Sequence, residues 1–154
     1  MKFGDVLILV FLVCLAIVLS PLLIPLLAFL YLKDRLGEFR FNGYLKSNKG
    51  AKFFAYTNRQ TSQKYVEQNI LPKLAKDIKI MYLGEKGRVN LGDDLKFHYR
   101  IVGEMKAVPG GFPYMSKVVD DNLVTESINN RLYSGIKRGA EPDQILDRIE
   151  KFFN

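Results

Sequence analysis

Lys52-Phe53-Phe54-Ala55-Tyr56, then Val66, Ile70, Leu74 and Ile78 at every fourth position, then Ile78 to Leu83 closed by Gly84: this stretch decides the fold. Four apolar residues in a row behind Lys52 read as a short buried strand. Thr57 and Gln60 stand three apart and fit a capping box, in which hydroxyl and amide side chain each satisfy a backbone N–H at a helix start. The four-residue recurrence, with Leu71 beside it, is one apolar face at helical period. Pro72 interrupts that face and either kinks the helix or opens a second short segment over 72–77. Residues 78–83 form the next strand. A joining helix implies a parallel strand pair with a right-handed crossover.

Downstream, residues 84–112 admit two readings. Asp93 or Asp94 suits the cap of a helix with Leu95, Tyr99, Val102 and Met105 inward, yet Leu95, Phe97, Tyr99 and Ile101 also alternate like a strand. The helix is favoured. A rigid loop, 108–113, ends it with Pro109, Gly110, Gly111 and Pro113. Three short strands are expected next, over 114–119, 123–128 and 131–136, with Asp120-Asp121-Asn122 and Asn129-Asn130 as the turns. A last helix follows Gly139, started by Pro142 between the acids Glu141 and Asp143, with Ile145, Leu146, Ile149, Phe152 and Phe153 inward. The fold class is therefore α/β with a mixed (α+β) sheet.

Upstream, residues 6–32 are 27 in a row without a charge. At about 1.5 Å per helical residue they reach roughly 40 Å, against a hydrocarbon core of about 30 Å. An N-terminal transmembrane helix is expected over 1–32, kinked by Pro21 and Pro25. The run is too long for a signal h-region and no small-residue cleavage site follows. Val13 before Cys14 does not suit a lipoprotein signal. A hairpin turning at Ser20-Pro21 is the other arrangement, with arms short for full spans. Residues 33–50 read as a basic juxtamembrane connector broken by Gly37, Gly43 and Gly50, and 51–154 as the folded domain.

The net charge of +7 is lopsided. Residues 33–64 hold eight Lys/Arg against two acids, and 65–154 hold fourteen against thirteen. Lys33, Arg35, Arg40, Lys46, Lys49 and Lys52 follow the apolar run, so the positive-inside rule places the domain in the cytoplasm of a single-pass protein. The same cations are candidates for lipid-headgroup contact, worth about 1 kcal/mol each near an anionic surface. A charge excess confined to this segment is accounted for by the bilayer, so nucleic acid is not an expected partner.

The tail carries a resemblance. Thr125-Glu126-Ser127-Ile128-Asn129-Asn130-Arg131-Leu132-Tyr133-Ser134, followed by Gly139-Ala140-Glu141-Pro142-Asp143-Gln144-Ile145-Leu146, resembles the selenoprotein W-like branch of the thioredoxin-like superfamily. The layout of 53–83 is similar too, and the likeness covers about 100 residues with loose motifs. It implies a thioredoxin-like domain and a cis Pro113. The family places Cys-x-x-Cys or selenocysteine between the first strand and its helix. By position that motif falls here on Thr57-Asn58-Arg59-Gln60, which has no sulfur. Thiol–disulfide exchange needs a thiolate, and the one cysteine, Cys14, lies in the apolar run. The expected role is thus a membrane-anchored, redox-inactive module in protein binding, with Thr57, Asn58, Arg59 and Gln60 beside Gly110, Gly111, Phe112 and Pro113 as the surface. The alternative is a structural subunit of a larger membrane assembly.

No catalytic, cofactor-binding or metal-ligating residues are expected. His98 is the one histidine, without obvious ligand partners, and reads as a surface or half-buried residue. The paired acids Asp93-Asp94 and Asp120-Asp121 sit at turns or caps. Gly84, Gly87 and Gly92 lack the spacing of a phosphate cradle, and no nucleophile elbow or dinucleotide fingerprint occurs. The expected partners are the bilayer and another membrane or cytoplasmic protein, with no small-molecule substrate.

Overall fold

The computed structural model describes the backbone of residues 3–84, 89–90, 95–139 and 142–154, and within these not the side chains of 3, 7, 9, 14, 16–19, 22, 89–90 and 95–96. Asp93, Asp94, Gly87, Gly92, Ala140, Glu141 and the Cys14 side chain lie outside that description, as do the roles expected of them. The chain divides into two compact units, 1–40 and 41–154.

The first unit consists of helix α1, which runs from Phe3 to Ser47 through Pro21 and Pro25 and enters the second unit at Phe41. Its described apolar side chains from Val6 to Leu32 are mostly exposed. Among the described residues no helix is long and apolar enough to cross a membrane. Eight residues of the uncharged run lie outside the described side chains.

The expected broken connector is instead helical as far as Ser47. Glycine disfavours a helix by about 1 kcal/mol, and packing overrides it here. Phe41 and Leu45, four apart, are buried in the core of the second unit, and Tyr44 stacks on Phe97 with centroids 4.7 Å apart. The helix ends where Asn48 Nδ2 donates to the Tyr44 carbonyl at 2.9 Å and Gly50 takes φ +77°. The folded unit thus begins at Phe41 rather than near 51.

The second unit is built on a five-stranded mixed sheet in the order β3-β2-β1-β4-β5. The strands are β1 (Lys52–Thr57), β2 (Ile78–Leu83), the two-residue β3 (Val89–Asn90), β4 (Tyr114–Val119) and β5 (Asn122–Ser127). β1 pairs parallel with β2 and antiparallel with β4. β1 is central and buried on both faces, which is why Phe53 to Tyr56 is continuously apolar rather than alternating. Phe53 and Ala55 face one layer, made by α3 (Leu95–Ala107) and the end of α1. Phe54 and Tyr56 face the other, made by the crossover, α4 (Asn129–Arg138) and α5 (Asp143–Phe153).

The crossover is not one capped helix. α2 covers Gln60–Tyr65, a π turn covers Val66–Ile70 and a 3₁₀ turn holds Pro72. Arg59 occupies the N-cap without a side-chain cap bond. The capping box does not form because Thr57 is still strand, paired with Leu83. α3 is a helix, but its buried stripe is His98, Ile101, Val102 and Met105, and Tyr99 is exposed. The stripe is rotated from the expected one, and His98 is buried edge-on to the Phe53 ring rather than at the surface.

β4 and β5 form the expected hairpin. Asp120 and Asp121 take φ +47° and +65°, as a two-residue primed turn requires. The third expected strand, 131–136, is helix α4, and Asn129-Asn130 is its first turn. Leu132, Gly135 and Ile136 recur at helical spacing against α5, and Gly139 at φ +62° closes the C-terminus. α5 buries Ile145, Leu146, Ile149 and Phe153, with Phe152 half-exposed. The Phe112–Pro113 bond is cis.

Candidate functional site

Thr57 closes β1 half-buried, and Asn58, Arg59 and Gln60 follow it exposed. The turn is fixed by its backbone. Asn58 N–H donates to the Leu83 carbonyl at 3.2 Å, and the Arg59 carbonyl accepts from the N–H groups of Ser62 and Gln63. The Arg59 guanidinium lies over the Tyr133 ring, 4.5 Å from its centroid. Tyr133 Oη donates to Ser62 Oγ at 3.0 Å, and Ser62 Oγ donates to the Arg59 carbonyl at 3.1 Å.

The second expected segment, 110–113, is held by the β5–α4 junction. Ser127 Oγ donates to the Gly111 carbonyl at 2.5 Å, and Asn129 Nδ2 donates to the Gly110 carbonyl at 2.7 Å. Tyr114 Oη closes the loop from inside, accepting from Gly111 N–H and donating to the Val108 carbonyl. Phe112 packs edge-on to Tyr114, and Pro113 is buried.

Both segments are therefore tied to one element. Tyr133 of α4 holds the crossover turn, and Asn129, at the start of the same helix, holds the Gly-Gly loop. Sequence reading missed this because it made α4 a strand. The signal was present as Leu132, Gly135 and Ile136 on a 3.6-residue period. The turn after β1 offers exposed hydrogen-bonding side chains and one stacked guanidinium. It contains no thiol, and among the described residues no group of three His, Cys, Asp or Glu could hold a metal ion.

The six candidate lipid contacts divide between the units. Lys33, Arg35 and Arg40 are exposed on the first, with Arg35 paired to Glu38 at 3.5 Å. On the second, Lys46 is exposed, Lys49 pairs with Asp121 at 3.3 Å and Lys52 with Asp77 at 3.0 Å. The Lys52 hydrogen bond holds the Asp77 carboxyl below its ordinary range. Lys49 and Lys52 thus have less charge to spend on headgroups than Lys33, Arg40 or Lys46.

The Tyr56 phenol is strongly displaced. Burial, then the Glu67 carboxylate that accepts its hydroxyl at 3.2 Å, push its pKa up from 10.0 to about 12. A raised folded-state pKa means the folded protein holds this proton more tightly, so its stabilisation is complete below pH 10 and lost as pH climbs towards 12. The thermal midpoint of the full-length protein in detergent should fall above pH 10. Tyr56→Phe should flatten part of that fall while changing stability at neutral pH by only about 1 kcal/mol. An alkaline limb identical in wild type and variant would refute the assignment. Burial raises Tyr65 as well, so the limb should not vanish entirely.

On the far side of α4, facing α5, lies a cavity of about 290 Å³ lined by arginines. Comparison of the chain with family models, curated proteins and solved structures finds no match.

Proposed function

We propose that this chain is a membrane-anchored, redox-inactive module of thioredoxin-like layout whose folded unit faces the cytoplasm and binds protein. The observation that carries the reading is the 27-residue uncharged run, helical in its backbone, whose described apolar side chains include Ile8, Phe11, Ile24 and Phe29 at more than 60% exposure. A helix apolar all round has no polar face to give to water, and a hydrocarbon environment accommodates it. The limit on membrane-crossing helices concerns the described residues alone; the full sequence carries the run without interruption. The six Lys/Arg that follow it support the cytoplasmic side.

The layout is supported by the parallel β1–β2 pair joined through α2, the β4–β5 hairpin beside β1, and helices on both sheet faces. α4 departs from the expected third strand. With no sulfur between β1 and α2, what this position offers is the exposed Asn58, Arg59 and Gln60 edge, held open by Tyr133.

The chain should stay in the pellet when membranes are washed with alkaline carbonate, and protease added outside sealed right-side-out cells should leave the folded unit intact. Release by the wash would sink the anchor, and digestion from outside would reverse the orientation. For binding, a partner recovered from gently solubilised membranes should be lost with Arg59→Glu and retained with Lys64→Gln. Equal recovery with both variants would move the binding surface elsewhere.

A further inference from the structure

The α4–α5 cleft is separate from the surface just described and carries an inference that does not depend on the membrane reading. Arg131, Ser134, Gly135 and Arg138 stand at i, i+3, i+4 and i+7, which is one face of α4. Across the cavity, Gln144 and Arg148 stand four apart on α5. Gly135 is buried among these lining residues and adds no side chain to fill the space.

Among the described residues the charge in this cleft is not balanced. Arg148 is half-buried and forked onto Glu126, with Nε and Nη2 at 3.0 and 2.6 Å from Oε1 and Nη2 at 2.5 Å from Oε2. Arg131 and Arg138 are exposed and have no acidic partner among the described residues. Asp143, in the first turn of α5, is engaged by Lys73 at 2.8 Å. Three arginines therefore line one cavity, and among the described residues a single carboxylate is bonded to one of them. Like charges gathered this way repel, and an anion between them relieves the repulsion. The first turn of α5, where Gln144 lies, adds the positive end of a helix dipole.

Guanidinium forks match the oxygens of phosphate and carboxylate, and several forks on one group favour the more highly charged, three-oxygen anion. Size narrows the choice. About 290 Å³ lies at the lower edge of small-molecule pockets, roughly 300–1,000 Å³, so it suits a phosphoryl group with a small ester rather than a whole nucleotide. We propose that the α4–α5 cleft binds a phosphate monoester dianion, clamped by Arg131 and Arg138, with Arg148 held in register by Glu126 and with Ser134 and Gln144 as neutral donors. The same chemistry is offered by a lipid headgroup with a terminal phosphate and by a soluble phosphate ester.

The test uses the full-length protein in nanodiscs of zwitterionic lipid. In one arm inorganic phosphate is titrated at constant ionic strength against chloride, followed by calorimetry and by the thermal midpoint. In the other, phosphatidic acid is added to the nanodisc lipid and the midpoint is compared with zwitterionic lipid alone. Wild type should respond in at least one arm. Arg131→Gln with Arg138→Gln should weaken the response about tenfold or more, and Lys137→Gln, on the same helix but outside the lining, should leave it within about twofold. Ser134→Asp, which sets a carboxylate in the cleft and keeps both arginines, should abolish it, and this variant decides the matter if the double variant does not fold. A response in the first arm shows that the cleft takes a free phosphoryl group, and one confined to the second assigns a headgroup. No response of the wild type in either arm, or one indifferent to these substitutions, overturns the site.

Discussion

Phe53→Ala should lower the unfolding free energy of the folded unit by about 3–5 kcal/mol, and Phe54→Ala by a similar amount. Both side chains are wholly buried. They are neighbours in β1 but belong to different layers: Phe53 lies among Met81, Ile101 and Met105, and Phe54 among Val66, Ile70 and Ile149. Each truncation leaves a cavity as well as losing apolar burial, and Phe53→Ala also strips the buried His98 ring of its edge-on contact. A domain of this size is stable by about 5–15 kcal/mol, so either variant removes a large share. Because the two cavities lie on opposite sides of the sheet, the losses should add, and the double variant should be largely unfolded. Chemical denaturation of the full-length protein in detergent, followed by circular dichroism, measures this. A loss below about 1 kcal/mol for Phe53→Ala would mean that the α3 layer is not packed on the sheet as described.

What could be read from the sequence was the part fixed by local pattern. β1 and β2 were legible because apolar runs of this length between turn residues have few other uses. The β4–β5 hairpin was legible because Asp120-Asp121-Asn122 stands as turn residues between two apolar runs, although Asn122 itself joins β5. What failed was set by distant contacts. Gly37 and Gly43 suggested a broken connector, yet α1 continues because Phe41 and Leu45 find a core that no local rule announces. Thr57 and Gln60 had the spacing of a capping box, yet the parallel pairing with β2 keeps Thr57 in the strand. Residues 131–136 lie between turn residues and so read as a strand, and only Leu132, Gly135 and Ile136 meeting α5 decide for a helix. The site followed the same division. The two loop segments were named from their sequence, but α4, whose Tyr133 and Asn129 hydrogen-bond or stack on both, was read as a strand.

Gly110→Ala should destabilise the folded unit by about 2–4 kcal/mol, the largest effect expected of so small a change. Gly110 takes φ +127°, a region L-residues rarely enter, and a Cβ there would lie 2.7 Å from both Cβ and Oγ of Ser127. Ser127 Cβ is fixed to the end of β5, so no rotamer change removes the clash. Gly111 makes the informative contrast. Its φ is +83°, but the nearest atom to an added Cβ is Asn129 Nδ2 at 3.6 Å, so Gly111→Ala should cost only the backbone term, about 1–2 kcal/mol. In a Ser127→Gly background the steric part of the Gly110→Ala effect should disappear and the backbone part remain, a coupling a double-mutant cycle measures directly. The same variants bear on function. Moving Gly110 strains the Asn129 amide that holds its carbonyl, and Asn129 begins the helix whose Tyr133 stacks under Arg59. If α4 joins the two segments into one surface, Gly110→Ala should weaken partner binding through Arg59 even at temperatures where the protein remains folded. Unchanged partner binding in a folded Gly110→Ala protein would show that the two segments act separately, and would restrict the binding surface to the turn after β1.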